Sequence, residues 1–154
     1  MDRQTWVHLL VWRPVDPADP LDVSRSWPRV LQVVRDGVAS PPGVVLRPGE
    51  ALPAAAARVA DALGLRPPPE PLRLLALDQR PPENGQAEQV DLVFDGGWLA
   101  TDDLPPCDDC GQGHTAWTPM REVSRVALIH AFRSLLTGEH TSALLWRGDL
   151  PDES

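Results

Sequence analysis

Cys107 and Cys110 have two residues between them, and His114 stands four positions after Cys110. A Cys-x2-Cys pair brings two thiolates to one tetrahedral centre, which suits zinc, and the His114 imidazole is a third candidate ligand. A closed structural site takes four ligands, and His130, His140, an Asp of the same loop or a residue of a neighbouring copy are candidates for the fourth. A reduced thiol pair and a redox-active pair stay open for the same two cysteines. The neighbouring Asp102, Asp103, Asp108 and Asp109 read as solvation of this segment.

Arg47 and Arg58 flank a Gly49 loop at the start of an expected helix. Backbone N–H groups and guanidinium together can receive a phosphate or a carboxylate there; the plain alternative for each is a solvated surface arginine. Six tryptophans against two phenylalanines are an unusual choice of aromatics. Strand alternation puts Trp6 and Trp12 on one face with His8, and such rings either fill a core or wall a ligand pocket. Trp12 and Trp98 are the ligand-stacking candidates. His8, His130 and His140 have no Ser or Cys placed to suggest a nucleophilic triad.

These residues need a scaffold, and the sequence supplies one. Trp6–Arg13 is a β-rich run ended by Pro14, and Arg29–Arg35 is a second, closed by an Asp36-Gly37 turn. Val44–Leu46 reads as a short strand. Leu52–Leu63, rich in Ala with Pro53 in its first turn and Gly64 beyond its end, predicts a helix. Its apolar face of Leu52, Ala55, Ala56, Val59 and Leu63 is built mostly of small side chains, which allows close approach to a sheet. A proline-rich connector at 66–71 leads to a hairpin, Leu72–Arg80 and Gln89–Asp95, turning at Asn84-Gly85, with Trp98–Ala100 as a further short strand. Residues 101–115 read as a polar insert. A last helix is expected over Arg121–Leu136, facing inward with Val123, Val126, Ala127, His130, Ala131 and Leu135; then come Leu144–Trp146 and a frayed tail at 149–154.

The 154 residues carry 14 basic groups, all of them Arg, and 22 acidic ones, for a net charge of −8. A duplex-binding surface shows as a basic excess or stripe, so nucleic acid is not the expected partner. No apolar run is long enough to span a bilayer, and the first residues lack the basic-then-apolar pattern of a secretory signal, so the expectation is a cytoplasmic protein with no membrane partner.

The stretch Pro42-Gly43-Val44-Val45-Leu46-Arg47-Pro48-Gly49-Glu50, followed by Ala55–Leu65, resembles the signature of Nudix hydrolases, G-x5-E-x7-R-E-U-x-E-E-x-G-U with U aliphatic. Leu92–Leu99 is similar to the strand that follows this box in many actinobacterial members, and Trp117-Thr118-Pro119 with the closing helix extends the likeness over residues 5–148. The resemblance implies one domain over 1–154, a Nudix-like α/β/α sandwich with a mixed sheet. It also implies magnesium held by clustered glutamates for phosphoanhydride hydrolysis.

The sequence departs from the box where that chemistry resides. Aligned without gaps from Gly43 to Leu65, the catalytic positions are Gly49, Ala57, Arg58, Asp61 and Ala62. Anchored on Glu50, the x7 spacing to Arg58 is right, but the following glutamates become Val59, Ala62 and Leu63. Glu50 and Asp61 are the remaining catalytic candidates, and one helical carboxylate is too little for a cation that dehydrates reluctantly. The expectation is a divergent Nudix-fold protein, without ordinary magnesium-dependent hydrolysis, that binds a small and nucleotide-like ligand; a homodimer is open. The alternatives are a hydrolase with magnesium on a site rebuilt from Glu50, Asp61, Glu70, Glu88 or Asp91, and a specialised-metabolism enzyme that reuses the pocket.

Overall fold

The structure, a computed structural model, describes residues 3–101, 103–105, 113–138 and 142–150. The long first strand, β1 (Gln4–Arg13), lies within one mixed sheet. It is followed by β2 (Arg29–Arg35), β3 (Val38–Ser40), β4 (Gly43–Val45), helix α1 (Leu52–Ala62), β5 (Leu74–Arg80) and β6 (Gln89–Trp98). Strand β7 (His114–Pro119), a single 3-10 turn, helix α2 (Val126–Thr137) and β8 (Ala143–Trp146) complete it. The order is β3-β2-β1-β6-β5-β8, with β4 also on β1 and β7 also on β2. Pairs β1–β6 and β5–β8 are parallel; the others are antiparallel. No helix among the described residues is long and apolar enough to cross a membrane.

Alternation along β1 sends its side chains to two cores, one on each face of the sheet. Val7, Leu9 and Val11 pack with Leu31, Leu92 and Phe94 under the small face of α1, where Ala55 and Ala56 are wholly buried. Leu10 and Trp12 pack with Val30, Val93 and Leu145 under α2, against Leu128 and Phe132. The helix–sheet–helix layering expected from the sequence is therefore present. Each fully buried Leu or Val in these cores contributes roughly 1.5–3 kcal/mol over its exposed state. Helix α1 stops where Gly64 takes φ 67°, and the Gly64 and Leu65 amides donate to the Asp61 and Ala60 carbonyls, satisfying its last turn.

Several elements differ from expectation. Part of the segment read as a polar insert is strand β7, which runs beside β2 from His114↔Val34 to Pro119↔Arg29. Strand β3 forms across the Asp36-Gly37 turn, where only the turn was read. Strand β6 continues through Gly96-Gly97 to Trp98 instead of ending before them, and Trp12 pairs with Trp98 after a shift in register. Helix α2 begins at Val126, not Arg121, because Met120–Glu122 form the 3-10 turn and Val123 is extended. Val126 is exposed and His130 only half-buried, so α2 does not turn those two fully inward.

Candidate functional site

The loop between β4 and α1 closes on itself before the helix begins. The Glu50 amide donates to the Arg47 carbonyl at 3.0 Å, and the Glu50 carboxylate accepts from the Arg47 amide at 3.1 Å. Arg58 lies two turns into α1 and reaches back to the same carboxylate. Its Nε donates to Glu50 Oε2 at 3.1 Å and its Nη2 to Oε1 at 2.8 Å, while Nη2 also donates to the Val45 carbonyl at 2.9 Å. This two-point fork is the geometry in which guanidinium holds carboxylate best. The Arg58 hydrogen bonds, then the Arg47 amide, hold the Glu50 carboxyl below its usual range.

A cavity of about 660 Å3 opens beside this loop, within the size range of small-molecule sites. Helix α1 contributes Arg58, Val59, Ala62 and Leu63 to its wall; Arg47 and Arg35 stand on the lining, and Trp6 and His8 form another side. The Trp6 and His8 rings are stacked, with centroids 5.9 Å apart and planes 11° from parallel. Opposite His8 in the β1–β4 pair is Gly43. A Cβ there would lie 2.8 Å from His8 Cε1 and closer still to Nδ1, so only glycine lets the ring lie flat on β4.

Behind His8 lies a buried polar network. Its Nε2 is 3.2 Å from Asp91 Oδ1, and its Nδ1 is 3.2 Å from the Pro41 carbonyl. Asp91 on β6 is directly opposite Asp78 on β5, and each is 1% exposed. Two buried carboxylates side by side need cations. Arg80 Nε sits between them, 3.3 Å from Asp78 and 3.4 Å from Asp91; Arg125, just before α2, is 3.9 Å from Asp91. Gln89 donates to Asp91 at 2.8 Å, and the Gly148 amide donates to Asp78 at 2.8 Å. Burial pushes the Asp91 carboxyl up, but hydrogen bonds to His8 and Gln89 with the Arg80 charge bring it net below its ordinary value. Burial also lowers Arg125, against the pull of Asp91.

Of the residues singled out in the sequence, Glu50, Arg47 and Arg58 come together at the loop. Asp61 is on the exposed side of α1 and does not line the cavity. Trp12 is 2% exposed and meets Phe132 edge-to-face at 5.4 Å, so it fills the α2 core and does not reach the pocket. Trp98, 41% exposed at the end of β6, is also away from the cavity. His114 opens β7, exposed, while Cys107, Cys110 and His140 lie outside the described residues. The Trp6–His8 wall was legible only as a shared strand face. Asp91 was legible only as a candidate acid for a rebuilt metal site; its pairing with Asp78 has a signal of its own, an aspartate on the inward register of each apolar hairpin strand.

The described carboxylates do not gather as a magnesium site. Under one alignment of the box the glutamate positions are Val59, Ala62 and Leu63, of which Val59 and Leu63 are almost wholly buried. Under the other, Asp61 is the single helical acid and faces away. Glu50 is held by Arg58, Glu88 by Arg3 at 2.7 Å, and Asp91 by the buried network. Among the described residues no group of three or more His, Cys, Asp or Glu could hold a metal ion.

No protein-family model and no curated protein matches the sequence. Solved structures do match. The Nudix domain of Shewanella oneidensis NrtR, in complex with ADP ribose, superposes with a TM-score of 0.62 at 14% identity, over 88% of this chain and 90% of that one. The MutT protein of Methanosarcina mazei Go1 matches at 0.54 and 16%, over 91% and 96%. An Ap4A hydrolase binary complex from C. elegans matches at 0.55 and 14%, over 88% and 99%. The chain has the Nudix fold.

Proposed function

We propose that this Nudix-fold chain binds a small organic anion in the cavity beside α1 without a metal ion, and does not perform magnesium-dependent pyrophosphohydrolysis. The observation that carries this reading is the cavity's α1 wall: Val59, Ala62 and Leu63 occupy it, and Glu50 is locked in the Arg58 fork. A fold does not fix a function, so the site decides. Nucleotide-like anions are the first class to test, because the similar NrtR domain is described with ADP ribose bound. A cytoplasmic location belongs to the same reading.

The test incubates the purified chain with nucleoside diphosphate derivatives, with and without magnesium or manganese. The expected result is no phosphate release, together with a metal-independent rise in melting temperature with at least one small anion. Metal-dependent turnover that Asp61→Ala abolishes would reject the reading. We also propose a structural zinc on Cys107, Cys110 and His114. Metal analysis should find zinc in the wild type and its loss in Cys107→Ser; equal content in both rejects that site.

A further inference from the structure

Among the described residues, the cavity beside α1 offers a ligand one arginine without a side-chain hydrogen bond or ion pair and a largely apolar wall. Three arginines line it. Arg58 is engaged by Glu50 and the Val45 carbonyl, and Arg35 has an interaction of its own. Arg47 is exposed; its charge acts on the neighbouring Glu50 carboxylate, but its guanidinium makes no hydrogen bond or ion pair among the described residues. The rest of the wall is largely Val33, Val44, Leu46, Val59, Ala62 and Leu63, with the stacked Trp6–His8 pair at one side.

Charge matching narrows the ligand. Among the described residues a diphosphate would bring several negative charges to one guanidinium not already engaged, with no carboxylate cluster to hold a bridging cation; partly enclosed charge left without a partner is costly. One carboxylate, by contrast, is matched by one planar guanidinium through two parallel hydrogen bonds. The apolar wall then favours an apolar body, and the flat faces of Trp6 and the lining prolines favour a flat one.

We infer that the cavity binds a monocarboxylate carried on a flat apolar body, its carboxylate at Arg47 and its body against Val59, Ala62 and Leu63. This rests on the metal-free binding reading and specifies its ligand. No bond is made or broken in the site; the Glu50–Arg58 fork keeps the loop that carries Arg47 in place.

The experiment titrates the full chain, without added metal, with 2-naphthylacetate, with its neutral amide and with ADP ribose, by calorimetry and melting temperature. The acid should bind about tenfold more tightly than the amide, the difference between a charged and a neutral hydrogen bond. Arg47→Ala should erase that difference, weakening the acid more than the amide. Ala62→Phe should exclude both by filling the cavity. Equal binding of acid and amide to the wild type would overturn the inference. So would metal-free binding of ADP ribose without binding of the acid, an outcome that leaves the binding reading standing. Failure of all three probes to bind would overturn both.

Discussion

Gly43 and His8 face each other across the β1–β4 pair, and the imidazole lies where a Cβ on residue 43 would be. Gly43→Ala must therefore move the ring, together with its contacts to Trp6, Pro41 and Asp91. Overpacking of this kind costs about 1–3 kcal/mol, which urea unfolding at neutral pH would read. An unchanged midpoint would mean that the ring shifts freely. Asp91 makes a prediction with a sign. Its folded value is depressed below the ordinary 3.8, so its stabilisation is present above that value and lost as pH falls through the lower folded one. Asp91→Ala removes the buried acceptor that His8 and Gln89 share and that faces the half-exposed Arg80, and should lose about 1–3 kcal/mol at neutral pH. The difference from wild type should shrink in acid below pH 3.8; a constant difference down to that range would remove the charge from the explanation. Glu50, also depressed, follows the same direction, so Glu50→Gln should flatten the acid limb of the stability curve.

At the scale of elements, α1 sits on the sheet through residues chosen for being small. Ala55 and Ala56 are wholly buried against the core that holds Leu9, Val11 and Phe94. Ala56→Leu should cost about 1–3 kcal/mol by forcing the helix away from the sheet, and thermal unfolding would show it. Elements with strong periodicity were legible: β1, β2, the hairpin strands and α1 follow from apolar pattern and from Pro53 and Gly64. What was not legible depended on partners. Strand β7 has no apolar alternation of its own; Thr115 is buried because its hydroxyl donates to the Pro105 carbonyl at 2.8 Å, and its backbone is satisfied by β2. Strand β3 is three residues long and exists through the ladder with Val33–Arg35. The α2 start was misplaced because Arg121–Arg125 are compatible with helix yet are drawn into the 3-10 turn and the Asp91 network. Arg125 offers no side-chain cap to mark the boundary.

For the whole molecule, one face of β1 carries Trp12 into the α2 core and Trp6 into the cavity wall. Strand alternation placed them on one face, but only the sheet's partners decide which end is covered. The site's charge has the same origin. The chain is net −8, yet among the described residues Glu50, Glu88 and Asp91 each face an arginine and Asp61 is turned outward from the cavity. Overall negative charge attracts magnesium diffusely, and diffuse attraction is screened by salt. A magnesium site of about 1 mM affinity would, at roughly 10 mM ion, stabilise the fold by about 1.4 kcal/mol through mass action, or roughly 3–6 °C in a chain of this size. The expectation is a melting temperature that magnesium chloride moves no further than sodium chloride of equal ionic strength. A magnesium-specific rise of that size, removed by Asp61→Ala, would mean that the exposed face of α1 assembles an ion site with residues outside those described. The cavity wall of Val59, Ala62 and Leu63 would then be a neighbour of the chemistry and not its replacement.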